Sequence, residues 1–224
     1  MLQNKYFFNK ISEEKYIKTI MDKFVKPLNF TNSEMFPGDW NRYREEILML
    51  DKLDLQLNEY SNVLDLGSPI PFITYSLALK YNCNIICKDI GIKIPYYIDK
   101  VSGELFNVCK DNLGLQKWDL ISFTDVLEHL PCNLYLVREK VISSLKDNRY
   151  LLISYPMGNT IIAPYGCDMM NQDWDITHTH MREFPNNNAI NFIPNLKIIA
   201  KRKVYPPSYK PGSIQILYKK EFTK

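Results

Sequence analysis

Residues 62–72 read Asn-Val-Leu-Asp-Leu-Gly-Ser-Pro-Ile-Pro-Phe. Val63, Leu64 and Leu66 form a largely apolar run that ends on Gly67, the pattern of a strand buried on both faces. Pro71 stands at the start of the helical stretch PFITYSLALKY (71–81), where proline is well accommodated. A strand that ends on glycine and passes directly into a helix is the turn at which doubly wound sheets hold nucleotides. A dinucleotide fingerprint would place further glycines here, so that backbone N–H groups could approach a pyrophosphate. Pro69 and Pro71 stand in their place, and proline has no N–H and carries a space-filling ring. The loop therefore disfavours a pyrophosphate and leaves room for a phosphate-free nucleoside.

The pattern extends outward from this turn. NIICKDI (84–90), WDLISF (118–123) and YLLISYP (150–156) read as further buried strands. Between the last two, PCNLYLVREKVISSLKD (131–147) carries Leu134, Val137, Val141 and Leu145 on one helical stripe, and KDNR (146–149) reads as a turn. Alternation of this kind predicts a doubly wound, mostly parallel sheet with helices on both faces. At the C-terminal end, LKIIAKRKVY (196–205) and SIQILYKKE (213–221) are strand-like with no helix between them, which predicts an antiparallel hairpin on the sheet. Before the first strand, helices are expected over 12–28, with Ser12 as cap, and over 39–53, with Asp39 as cap. One domain over 1–224 is expected. Residues 1–58 would form a helical cap, 60–224 the core, and 156–184 a substrate lid, a length of loop that is commonly functional.

The composition fits one large core: 46% of the 224 residues are hydrophobic and 13% aromatic. The net charge of +3 is spread over 28 basic and 25 acidic residues without a basic block, so nucleic acid is not an expected partner. No run approaches a membrane span, and MLQNKYFFNKISEEK lacks the apolar core of a signal peptide. The cysteines, Cys83, Cys87, Cys109, Cys132 and Cys167, form no CxxC pair, and Cys83 and Cys87 read as core. A reduced, cytoplasmic protein without membrane contact is the expectation.

Asp89 lies 22 residues beyond Gly67 at the end of the second strand, where an acid accepts ribose hydroxyls; the alternative is a turn cap. Three segments then resemble class I S-adenosylmethionine-dependent methyltransferases of the small-molecule branch. VLDLG (63–67) is similar to their first motif, WDLISFTDVLEHLP (118–131) to the fourth strand and following turn, and DITHTHMREF (175–184) to a late segment bordering the substrate. The resemblance implies a Rossmann-like seven-stranded sheet, with S-adenosylmethionine as cofactor and S-adenosylhomocysteine as product. It implies cofactor contacts at Asp65, Gly67 and Ser68, at Asp89 and Ile90, at Asn107 or Asp111 for the adenine, and at Asp125 and Val126 for the methionine part. The prolines after Gly67 depart from the family pattern.

All three histidines, His129, His178 and His180, fall in these motifs. Methyl transfer to a hydroxyl needs alignment and proton removal, and a histidine suits the second task. His178 or His180 is expected as base, with His129 orienting the acceptor or capping its helix. Asp168, Asp173 and Asp175 beside the HxH pair offer a competing divalent-metal reading, which is not the favoured one. Arg42, Tyr43 and Arg44 are candidates for binding an anionic group, unless they pair with Glu45 and Glu46; Tyr155, Asn159 and Tyr165 are pocket candidates by position, with Tyr155 equally a core residue. The acceptor is expected to be a small polar molecule, such as a sugar or phosphorylated intermediate of surface-polysaccharide biosynthesis. The alternatives are N-methylation of a small amine and a non-catalytic cofactor-binding or partner protein.

Overall fold

The computed structural model describes residues 35–68, 72–91, 99–156, 193, 195–204 and 212–222, with only the backbone for 35–42 and Phe72. Helix α1 (Met35–Lys52) leads into β1 (Asn62–Leu66), α2 (Phe72–Tyr81), β2 (Asn84–Asp89), β3 (Val101–Leu105) and β4 (Trp118–Thr124). A 3₁₀ turn (Leu127–His129), α3 (Leu134–Ser144), β5 (Leu145–Pro156), β6 (Lys197–Val204) and β7 (Ser213–Lys219) follow. The seven strands form one sheet in the order β3-β2-β1-β4-β5-β7-β6. β1 to β5 pair in parallel, and β7 runs antiparallel between β5 and β6. The doubly wound fold and the C-terminal hairpin are as expected.

Alternation along the strands supplies both layers of core. Val63, Ile85, Cys87, Leu120, Leu152 and Leu217 face α1 and α2. Leu64, Leu66, Ile121, Phe123, Leu151, Ile153 and Ile216 face the other side, where α3 contributes Val137 and Val141. Cys83 and Cys87 are core residues, and burial pushes the Cys83 thiol to about 12 and the Cys87 thiol well upward, so neither is a reactive thiolate.

Four expectations need correction. The helix expected over 39–53 begins at Met35, so Asp39 lies inside it and not at its N-cap position; Pro37 falls in the first turn, where its missing N–H has no helical partner to lose. The helix expected from 131 begins at Leu134. Asn133 caps it by accepting a hydrogen bond from the Tyr135 N–H at 2.9 Å. KDNR is not a simple turn but an irregularity inside β5: Trp118 pairs with Leu145, Leu120 with Tyr150, and Asn148 takes a φ of 63°. β3 has no counterpart in the sequence reading, because VSGEL is short, carries a glycine and is largely exposed at the sheet edge.

The fifth correction concerns redox state. Cys109 and Cys132 form a disulfide across 23 positions of sequence, so the expectation of a wholly reduced chain does not hold. Among the described residues, no helix is long and apolar enough to cross a membrane. The helix expected over 12–28 lies outside the described residues.

Candidate functional site

Strand order reverses between β1 and β4, and ligands of open α/β sheets bind in the crevice beyond the strand ends at this switch point. Gly67 ends β1 there with φ +81°, and its N–H donates to the Lys88 carbonyl of β2 at 2.8 Å. A Cβ on Gly67 would stand 2.4 Å from Cγ2 and 2.8 Å from Cγ1 of Val126. Both the backbone angle and this contact demand glycine. Val126 thus packs directly on Gly67, which joins the end of β1 to the segment that follows β4 across the reversal.

Asp125, beside Val126, takes a left-handed φ of 52°, and its N–H donates to the Ser154 carbonyl of β5 at 2.9 Å. The strain of that angle turns the chain sharply out of β4 into the 3₁₀ turn. Glu128 is buried in that turn. His129, at its end, keeps its side chain 20% exposed with Nε2 3.8 Å from Glu128 Oε1.

At the end of β2, Asp89 Oδ1 accepts from the Gly91 N–H at 2.7 Å. The turn-cap alternative is therefore realised on one oxygen. A carboxylate has acceptor sites to spare, so this does not remove it as a ribose partner. Ile90, next in the chain, is 51% exposed, which is unusual for a residue bordering so apolar a strand.

The loop after β3 reaches the same edge. The Phe106 N–H donates to the Asp89 carbonyl at 2.9 Å. Asn107 Oδ1 accepts from the Cys109 N–H at 3.0 Å, and the Asn107 N–H donates to Asp111 Oδ2 at 2.6 Å. Asn107 and Asp111 thus bind each other's turn, which follows directly on the Phe106–Asp89 contact and meets Lys140 of α3 at Asp111. Ser68 is half-buried at the mouth of the crevice.

Asp65 departs from its expected place. Its carboxyl is 2% exposed and accepts from Thr74 Oγ1 at 2.6 Å, which ties β1 to the start of α2 instead of facing the crevice. Burial pushes it up to about 7. The Thr74 hydroxyl and the nearby Ser122 hydroxyl pull it back down, and the Asp89 charge adds a little upward. Thr74 was not among the sequence candidates, because a spacing of nine residues across a strand-to-helix turn gives no signal for a side-chain pair.

The N-terminal candidates separate. Tyr43 packs against the core on the α2 side of the sheet, and Arg44 Nη1 lies 3.0 Å from Glu45 Oε1, the pairing left open by the sequence. Glu45 also holds Arg202 of β6, which fixes α1 over the hairpin. Tyr155 is 1% exposed within the other core layer, and its hydroxyl is raised to about 12 by burial, so the core alternative is the one realised. The side chains of Arg42, Asn159, Tyr165, His178 and His180 lie outside the described residues, as do Asp168, Asp173 and Asp175. Among the described residues, no cluster of three His, Cys, Asp or Glu forms a metal site.

No protein-family model and no curated protein matches the chain. Solved structures do. TehB from Haemophilus influenzae superposes with a TM-score of 0.57 at 13% identity, covering 79% of this chain, which spans only 62% of the length of TehB. The 1,6-didemethyltoxoflavin-N1-methyltransferase of Burkholderia thailandensis, with 1,6-didemethyltoxoflavin and S-adenosylhomocysteine bound, gives 0.63 at 14% identity over 94% of this chain and 91% of its own. The N-methyltransferase NodS of Bradyrhizobium japonicum WM9, in complex with S-adenosylhomocysteine, gives 0.59 at 13% identity over 92% and 98%. Identities this low speak to architecture, and they agree with the strand order and the reversal found here. The chain has the fold of the class I S-adenosylmethionine-dependent methyltransferases.

Proposed function

We propose that the chain is an S-adenosylmethionine-dependent methyltransferase whose acceptor is an oxygen of a small polar molecule, such as a sugar or a phosphorylated intermediate of surface-polysaccharide biosynthesis. The observation that carries the cofactor reading is the convergence of Gly67, Asp89, the 106–111 loop and Val126 at the point where strand order reverses. The residues fit a nucleoside without phosphates. Gly67 turns the backbone at the end of β1, the Asp89 carboxylate is the group type that accepts from ribose hydroxyls, and exposed Ile90 offers an apolar wall to a base.

When bound, the cofactor supplies an electrophilic sulfonium methyl. The protein's own tasks are to hold donor and acceptor in line, exclude water and take up the acceptor proton. Val126 and the backbone at Asp125 would form the methionine-side wall. His178 or His180 would be the base and His129 a positioning residue for the acceptor, with Arg42, Asn159 and Tyr165 as further acceptor contacts.

Nitrogen is the second acceptor reading. Two of the compared structures are N-methyltransferases by description, and a desolvated amine needs no strong base. Calorimetry with S-adenosylhomocysteine tests the cofactor reading, and absence of binding would sink it. Transfer of labelled methyl to pooled hydroxyl and amine acceptors then separates the two chemistries. His178→Ala and His180→Ala are each assayed, and full turnover in both would remove the base assignment.

A further inference from the structure

The loop that carries Asn107 and Asp111 is anchored at both ends. Phe106 is tied to Asp89 at one end, and Leu113 is buried at the other. Between them, the turn at 107–111 is closed by its own bonds: Lys110 N–H and Asp111 N–H both donate to the Asn107 carbonyl. Two tethers reach it from the α3 side. Lys140 Nζ donates to the carbonyls of Val108, at 2.7 Å, and Asp111. The other is the covalent bond from Cys109 to Cys132. Cys132 lies between the 3₁₀ turn that ends the β4 motif and the Asn133 cap of α3, so the disulfide joins the adenine-side loop to the segment that follows Val126 and His129. Both cysteines are only partly buried, with exposed Lys110 and Pro131 beside them, so a small thiol can reach the bond.

We propose that the Cys109–Cys132 disulfide is a thiol-sensitive positioning tether of the cofactor site. Closed, it holds the 107–111 turn against the crevice; opened by a dithiol, it lets the turn loosen and cofactor affinity fall. The inference rests on the cofactor reading given above. In the exchange, a dithiol thiolate attacks one sulfur, the Cys109–Cys132 bond breaks, and the reductant's second thiolate closes its own disulfide. Two electrons and two protons end on Cys109 and Cys132 as thiols. Lys140, Val108 and Leu113 keep their contacts, so the loop is loosened and not lost.

The test uses the full chain and S-adenosylhomocysteine. Calorimetry is run on the oxidised protein and on protein reduced with dithiothreitol, with free thiols counted in each, at a temperature where both forms are folded by circular dichroism. Reduction is expected to raise the Kd about tenfold, the scale of restoring freedom to one or two ordered side chains and their turn. Hydrogen exchange should quicken at the amides of Cys109, Lys110 and Asp111 while β4 stays protected. The Cys109→Ser/Cys132→Ser variant should match the reduced wild type and ignore dithiothreitol. Equal affinity in both wild-type forms would overturn the proposal, and so would an equal dithiothreitol effect in the double variant. If the double variant does not fold, the two wild-type forms decide alone. Absence of binding in both forms is a different failure, that of the cofactor reading itself.

Discussion

Replacing Gly67 with alanine is expected to destabilise the protein by about 2–5 kcal/mol, as the sum of two separable costs. At φ +81° an L residue sits in left-handed backbone, which costs about 1–2 kcal/mol. The added methyl would also stand 2.4, 2.8 and 3.2 Å from Cγ2, Cγ1 and Cβ of Val126. Because all three atoms of a β-branched side chain obstruct it, rotation about χ1 cannot clear the space, and the strand ends must part. Overpacking of this kind costs about 1–3 kcal/mol. Urea denaturation of Gly67→Ala, Val126→Ala and the double variant separates the two costs. Val126→Ala alone removes buried methyls and should cost about 2 kcal/mol. In the double variant the two Cγ overlaps are gone, and the Val126→Ala cost plus the backbone cost at position 67 remain, so it should exceed the additive expectation by about 1–3 kcal/mol of stability. Additivity within about 0.5 kcal/mol would refute the claim that Val126 is what requires glycine at 67.

Asp65 holds its proton up to about pH 7 when folded, whereas the unfolded chain releases it near 4, so the folded state binds more protons between these values. Stability should therefore fall as pH rises from about 4 to 7 and level off above. Asp65→Asn should flatten that slope, with a gain over wild type of up to about 4 kcal/mol at pH 8 read from urea midpoints. Lys80 Nζ lies 2.5 Å from Asp51 Oδ1 with side chains only 5% and 13% exposed, joining α2 to α1. Asp51→Ala, which strands the buried ammonium, should cost about 3 kcal/mol, and Lys80→Met clearly less. Reduction of the disulfide releases a loop of 23 positions and should lower stability by about 3 kcal/mol, seen as a lower urea midpoint that Cys109→Ser/Cys132→Ser reproduces.

The architecture was legible because it follows from local pattern. Runs such as Ile85–Cys87 and Leu120–Phe123 can only be buried on both sides, and the helical stripe of Val137 and Val141 needs a sheet to cover. The elements that escaped have weak patterns of their own. β3 is a half-exposed edge strand with a glycine at its centre, and the start of β5 is displaced by an irregularity that only pairing with β4 and Lys220 defines. Asp39 looked like a cap because acids favour that position, but Pro37 two residues earlier is itself tolerated in a first turn, so the helix starts sooner.

By itself, the stretch NVLDLGSPIPF determined that a buried strand ends on a glycine, and its prolines argued against a pyrophosphate; the order of strands and acids along the chain determined which residues should meet at the sheet edge. Tertiary structure decided which way their side chains turn. Asp65 faces Thr74, Tyr155 faces the core, Asp89 shares its carboxylate with a turn, and Cys109 finds Cys132. The reason is physical. Periodicity along one chain specifies which face is apolar, whereas a hydrogen bond, a disulfide or the fit of Val126 against Gly67 depends on the distance between segments that only the closed fold brings together.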